Sequence, residues 1–422
     1  MRHLSSFLLI LVVSFSGVPS AVAASLTVDE AVAAAVRQNP ALEAASGDIA
    51  AAEAGSRAAG FLSNPQITFT PALTGPGGSD TEVLLVQPLE LNGSRTARSG
   101  IARAHLSAAR AQAVIVLSDL VYRTRLAYCE VVRAHEQHAL AVSALQSAMD
   151  IDRLIHAQVD AGARPGLDAL QSGIEVSRAQ QRIATAEANV TAAESALNTL
   201  MGRPPLEPLP DLSLTPATAD AVDPAAAISG ALSNRVEITV EEATRDLYAS
   251  QERQAVADGR PDLAPQFRAD SVTRGGVRNS GIGIGISLPL IDYGNRRNQI
   301  AQARKSIAAQ DARIDAARAQ VRQETVEAVA RVIAADKAVG LVQTGMLDQA
   351  RQILDASKVG YREGGTGILA LIDAERTYNQ LQSDYQNAVV DAAVAHARLE
   401  WATGSMSPEL LARLNPETGG GK

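Results

Sequence analysis

The chain has 422 residues, a net charge of −8, 3% aromatic residues and a single cysteine, Cys129. The acid excess disfavours partners such as nucleic acid or an anionic membrane surface, and one cysteine allows no intramolecular disulfide. Scarce aromatics, with Trp401 the sole tryptophan, argue against a drug-sized aromatic pocket and suit helices packed side by side along a great length.

Residues 1–24 read as a cleaved secretory signal. Arg2 and His3 precede a short apolar run, Phe7 to Val13, and the small residues Ala21-Val22-Ala23-Ala24. The run falls short of the ~20 residues that a spanning helix needs. No cysteine stands near the cleavage site for attachment of a lipid. Without this segment the net charge is about −9. No later stretch supplies an apolar helix of membrane length, so export leaves the periplasm, the exterior, or an outer membrane crossed by β-strands.

The first repeat unit is placed at 25–203. Its first helix begins near Thr27, with Asp29 and Glu30 in the opening turn, where the helix dipole favours acids. Strands are predicted over 64–73 and 81–90: Gln66-Ile67-Thr68-Phe69-Thr70 alternates polar with apolar residues, and Gly75 to Asp80 supply the turn. From Ser94 to Ala161 there is no proline and no glycine but Gly100, which predicts one helix of about 100 Å. A tight turn at 162–166 then sends a helix back.

A proline-rich linker, 204–224, reads as irregular surface structure. The second unit, 225–404, opens on Asp223-Pro224, a capping residue followed by proline at the first helical position. Strands are predicted over 265–274 and 280–290, where Gly281-Ile282-Gly283-Ile284-Gly285-Ile286 has one large apolar face and one small face. The glycine run lacks a helix behind it at the distance a nucleotide-binding loop needs. Asn295 to Glu363 predicts a second very long helix, interrupted only by Gly340, Gly345 and Gly360. Its heptad stripes, Val326, Ile333, Leu347, Leu354 and Tyr361 on one face and Ile307, Ile314 and Val321 on another, require neighbours on both sides. A turn at 364–367 leads into the last helix, and 405–422 reads as a flexible tail.

The two units are one plan written twice. Asn64-Pro65-Gln66-Ile67 resembles Ala264-Pro265-Gln266-Phe267; Pro88-Leu89 and Gly93 recur as Pro289-Leu290 and Gly294; Gly162 and Leu167 match Gly364 and Leu369; Leu197 and Gly202 match Leu399 and Gly404. Every pair lies 200 to 202 positions apart. The fold class is therefore mainly α with a small β part, in two tandem repeats. Strands of about ten residues with one lipid-like face fit a transmembrane barrel, an ordinary soluble hairpin being the alternative. Four strands cannot close a barrel, and an open sheet edge cannot sit in lipid because its backbone groups lack partners. On the membrane reading other copies of the chain must complete the ring.

The chain resembles the TolC family of outer-membrane factors from about Leu26 to Gly404. The resemblance is carried by Leu26-Thr27-Val28-Asp29-Glu30-Ala31 leading to Asn39-Pro40, and by the strand-to-helix joints Gln87-Pro88-Leu89 and Leu288-Pro289-Leu290. Gly364-Gly365-Thr366 followed by Leu371-Ile372-Asp373-Ala374 completes it. It implies a homotrimer with a twelve-stranded β-barrel in the outer-membrane lipid and a long α-barrel of coiled-coil helices through the periplasm. The duct is passive, and its far end, at the two hairpin turns, opens when a periplasmic adaptor and an inner-membrane pump, of the RND type, engage it. Leu371 to Trp401 is similar to the CzcC-like branch that serves heavy-metal pumps. Drug or small-molecule efflux and type I protein secretion are the alternatives within the family.

The resemblance also implies acids at the tip. Asp373 matches one of two pore acids of some family members, Ala370 stands where the other would be, and Asp168 occupies the position related to Ala370 by the repeat. A ring of Asp373 or Asp168 on a three-fold axis would favour cations; a solvated helix acid is the plainer reading. Gly162, Gly364, Gly365, Thr366, Arg362 and Glu363 are the expected tip contacts with the adaptor, and Arg362 with Glu363 the expected ion-pair lock of the closed tip. His135 and His138 lie on one helix face within reach of a shared metal, but no third ligand accompanies them, and buried polar residues also fix helix register. No phosphate loop, nucleophile elbow or Cys-x-x-Cys is present, so no catalytic residue, cofactor or metal is assigned. A soluble periplasmic coiled-coil adaptor is the rival of another class. It would normally carry a compact β-domain, for which no sequence remains.

Overall fold

The computed structural model describes residues 25–71, 81–212, 214, 222–271, 278–289, 293–343 and 345–405. The expected signal at 1–24, the turns of the two β-hairpins and nearly all of the tail lie outside these residues. The first half contains α1 (Val28–Gln38), α2 (Pro40–Ala59), β1 (Gln66–Thr70), β2 (Thr81–Val86), α3 (Ser94–Asp160) and α4 (Gly166–Leu200). The second contains α5 (Pro224–Asn234), α6 (Val236–Ala257), β3 (Asp262–Ser271), β4 (Arg278–Ser287), α7 (Asn295–Gln343), α8 (Met346–Arg362) and α9 (Ile368–Thr403).

Each half opens on two helices where one was expected. Thr27 and Glu30 cap α1 reciprocally: the Glu30 N–H donates to the Thr27 hydroxyl at 3.3 Å and the Thr27 N–H to the Glu30 carboxylate at 2.9 Å. Pro40 has no N–H to continue the helix and holds Asn39 extended, so Asn39 closes α1 and caps α2. In the second half Arg235 makes the same break without a proline. Its guanidinium is held by Glu237, Glu324 and the Ala402 carbonyl, which fixes the backbone between α5 and α6.

The strands form one antiparallel sheet in the order β1-β2-β3-β4, with the β2–β3 pairing joining the halves. Their described ends differ from those expected. β2 stops at Val86, before Pro88, and β3 starts three residues early, at Asp262. Pro265 is tolerated inside β3 because β2 has ended beside it; its carbonyl accepts from the Gln87 N–H at 3.0 Å. The register places Ile67, Leu85, Phe267 and Ile282 in one row across all four strands. Below the sheet, Glu90 ties the β2–α3 joint. It takes a positive φ of 54° and accepts from both terminal nitrogens of Arg98, at 2.8 and 2.9 Å, and from the Ser63 hydroxyl.

α3 is a single helix of 67 residues, but its counterpart is broken into α7 and α8. The cause is Gly345, with φ 110°; Ala139 and Ala144 stand 201 positions before Gly340 and Gly345 and keep α3 continuous. One heptad stripe of α7 packs inward, through Ile314, Val321 and Ala328, whereas Val326 and Ile333 are about half exposed, at 48% and 54%, and find no cover within the chain. Two cores result. One joins α1, α3 and α4 around Leu117, Val121, Tyr128 and Leu197; the other joins α3, α8 and α9 around Ile151, Ile155, Tyr361 and Leu371 at the hairpin tips.

A belt beside the first core fastens the last helix to both halves. Trp401 donates its indole N–H to Asp119 on α3 at 3.0 Å and lies between two guanidinium groups, Arg235 at 4.2 Å and Arg398 at 4.1 Å. Trp401→Ala removes all three contacts and the ring's packing. We expect a stability loss of about 3 kcal/mol, read as a lower unfolding temperature of the purified protein, with Trp401→Phe keeping most of the stability.

Candidate functional site: the hairpin tips and the apolar sheet face

The tips are built by two similar turns. Gly162 and Gly364 take φ of 72° and 82° and end α3 and α8. The Gly365 N–H donates to the Gly360 carbonyl at 2.8 Å, and the Ala163 N–H to the Gln158 carbonyl at 2.9 Å, which closes each helix end over its last turn.

The turns are tied to each other by residues that sequence reasoning missed. Arg164 donates to the carbonyls of Tyr361, at 3.2 Å, and Thr366, at 3.0 Å, while its guanidinium lies 4.6 Å from the centre of the Tyr361 ring. The Tyr361 hydroxyl donates to Asp168 at 3.1 Å, and Gln158 donates to the Arg362 carbonyl at 3.1 Å. Burial and then the Asp168 carboxylate push the Tyr361 hydroxyl up to about 12, so it stays a donor at any physiological pH. Asp168 sits in the first turn of α4, where the helix dipole supports its charge.

The expected site residues are placed as follows. Asp168 is half-buried and engaged by Tyr361, whereas Asp373, near the start of α9, is exposed and its carboxylate makes no hydrogen bond or ion pair among the described residues; its carbonyl accepts from the Thr377 hydroxyl. No described contact brings the two acids together. Arg362 and Glu363 are exposed, and neither forms an ion pair among the described residues; the tie between the turns runs through Arg164 and Tyr361 instead. Around them Leu167, Leu170, Ile174 and Leu369 are all more than half exposed.

His135 pairs with Glu194 of α4 at 2.9 Å, and His138 approaches Glu187 at 3.9 Å. Repeat symmetry returns the first pair with its partners exchanged, as Asp336 and His396 at 3.2 Å between α7 and α9. Both join antiparallel neighbours at the same level of the two repeats, the geometry of a register pair. Among the described residues no group of three or more histidine, cysteine or acidic side chains is placed to hold a metal ion.

At the other end, the sheet has two unlike faces. Ile67, Phe69, Ile282, Ile284 and Ile286 are between 63% and 89% exposed on one face. The other carries Gln66, Thr68, Gln266 and the glycines of β4, with Arg268 paired to Glu82 at 2.8 Å. β1 and β4 end the sheet as open edges. No described helix is long and apolar enough to cross a membrane.

Comparison with known proteins matches these features. The family model described as outer membrane efflux protein matches residues 31–203 and 227–405, one match for each repeat. The cobalt-zinc-cadmium resistance protein CzcC of Cupriavidus metallidurans is 25% identical over 371 residues, 87% of each chain. The nickel-cobalt-cadmium resistance protein NccC of Alcaligenes xylosoxydans xylosoxydans is 27% identical over 272 residues, 63% of this chain and 60% of that one. Among solved structures, the CmeC outer membrane channel of Campylobacter jejuni shares the fold with a TM-score of 0.79 at 15% identity, covering 93% of this chain and 90% of that one. With a match that spans both repeats, the chain belongs to the outer membrane efflux protein family, the TolC family of outer-membrane factors.

Proposed function

We propose that this chain is the exit duct of a pump that exports divalent transition-metal cations, assembled as a homotrimer in the outer membrane of a Gram-negative bacterium. The duct itself rests on one observation above all: a row of large apolar residues crosses all four strands of a sheet whose two edges are open. An exposed apolar face bordered by unpaired backbone is stable in lipid only when further copies close the ring. The same observation disfavours a soluble coiled-coil adaptor, which has no use for such a face. Three copies would bring twelve strands, and the uncovered Val326 and Ile333 offer a face for the neighbouring copy. The metal substrate rests on the resemblance to CzcC and NccC, both named for resistance to cobalt and cadmium.

In this reading residues 1–24 are a cleaved signal without lipid attachment, and the helices reach through the periplasm. The exposed tip, with Gly162, Gly364, Gly365, Thr366, Arg362 and Glu363, meets a periplasmic adaptor coupled to an RND-type inner-membrane pump, which supplies the energy. Arg164 and Tyr361 hold the two turns together at rest, and Asp373 faces permeating cations as an acidic ring. Export is tested in a host lacking its own metal efflux duct. Co-expression with its pump and adaptor should restore growth in cobalt or cadmium, and restored resistance to organic drugs alone would reassign the substrate. For the ring, Asp373→Ala should weaken block of the channel by divalent cations about tenfold, the loss of roughly 1.4 kcal/mol of attraction per ion; block unchanged in a planar bilayer would remove Asp373 from the pore.

A further inference from the structure

One ionisable group in the tip is used by none of the contacts above. Glu375 lies on α9 one residue past Ala374, within the tip core, and is only 7% exposed. Its Oε1 is buried without a hydrogen-bond partner. Elements on three sides face it: Ser147 of α3, Lys358 of α8, and Glu175 with Arg182 of α4. Glu175 is itself occupied by Arg178 and Arg376. A carboxylate in such a place is costly because it has left water without a full set of donors, whereas the neutral acid is tolerated. Glutamate, where leucine or glutamine would serve packing better, is the feature to be explained.

We propose that Glu375 is a proton-responsive wedge at the junction of the tip helices: when neutral it lets α3, α4, α8 and α9 close together, and when ionised it loosens them toward opening. The proposal rests on the reading of the tip as the gate of the duct.

The electrostatics run in the same direction. Burial pushes the Glu375 carboxyl above the usual carboxylate range and the charge of Glu175 adds to this, while the Ser147 hydroxyl, Lys358 and Arg182 pull it back. An acid held above its unfolded value stabilises the packed form fully below the unfolded value. That contribution is lost as pH rises through the folded one. Acid therefore favours the closed tip and rising pH the loosened one.

The test is amide hydrogen exchange on the full-length protein in detergent, expressed as protection factors so that the intrinsic pH dependence cancels. Between about pH 4 and about pH 8, tip amides near Ile151–Ile155 and Leu371–Arg376 should lose protection about tenfold in the wild type. In Glu375→Gln, a neutral side chain of the same shape, protection should stay at its acid value. Lys358→Gln, which removes the facing ammonium, should move the wild-type midpoint to higher pH. A wild-type tip indifferent to pH, or Glu375→Gln losing protection as the wild type does, overturns the proposal. Should Glu375→Gln not assemble, an unmoved midpoint in Lys358→Gln overturns it equally. Conductance of the same wild-type sample separates the two readings. A conducting protein with a pH-blind tip loses only the proton response, while protein that never conducts, even with Arg164 and Tyr361 replaced, loses the duct as well.

Discussion

Ile282→Arg is expected to abolish assembly in the outer membrane, while Thr68→Arg is expected to be tolerated. Ile282 stands in the middle of β4, is 89% exposed, and shares its row with Ile67, Leu85 and Phe267. Thr68 occupies the next register position, on the face that already holds the Arg268–Glu82 pair. An arginine at the lipid midplane of a barrel costs about 2–4 kcal/mol, and closure by three copies applies that cost three times. On the inner face the same charge meets water. Membrane fractionation with a gel assay for heat-modifiable trimer reads the contrast. Equal amounts of trimer for both variants would mean that the exposed face does not meet lipid.

The second large effect belongs to the tip. Arg164→Ala combined with Tyr361→Phe removes two hydrogen bonds from a guanidinium to backbone carbonyls, one cation–π contact, and the hydroxyl bond to Asp168. Hydrogen bonds involving a charged group contribute about 1.5–3 kcal/mol each when well formed. Allowing for the partial exposure of Arg164, we expect a net loss of about 3 kcal/mol per chain, more than a hundredfold in the closed-to-open ratio. The phenylalanine keeps the ring in its core, so the change acts on the tie between the turns and spares the fold. Bilayer recordings should find a mostly shut channel turned into a mostly open one, with the trimer's melting temperature little changed.

Much of this arrangement is legible in residues alone because it rests on local chemistry repeated twice. Asp223-Pro224 marks a helix start, the isoleucine–glycine alternation of 281–286 marks a two-faced strand, and the glycines at 162 and 364 mark helix ends. What stays hidden depends on partners far along the chain or on backbone atoms. The Arg164 tie ends on two carbonyl oxygens 197 and 202 positions away, and no side-chain pattern encodes a carbonyl acceptor. Tyr361 reads as one more apolar heptad member, and only the fold brings its hydroxyl to Asp168. The α7–α8 break is visible only when Gly340 and Gly345 are compared with Ala139 and Ala144 of the other repeat. Arg362 and Glu363, adjacent and opposite in charge, draw attention as a lock, yet both are exposed and neither forms an ion pair among the described residues. Glu375 stands one helical turn past Leu371 and Ile372, on the face that the apolar spacing buries, but an acid read by its type alone passes for a solvent-facing residue.

Single-channel recording of the purified protein in a planar bilayer, wild type against the Arg164→Ala, Tyr361→Phe pair, tests the gated duct most directly. We expect rare openings of uniform size in the wild type, cation-selective and reduced by divalent ions, and the same unit conductance with a far higher open fraction in the pair. Protein verified as a membrane-inserted trimer that passes no current in either form would contradict the duct. Current of wild-type open fraction in the pair would contradict the gate.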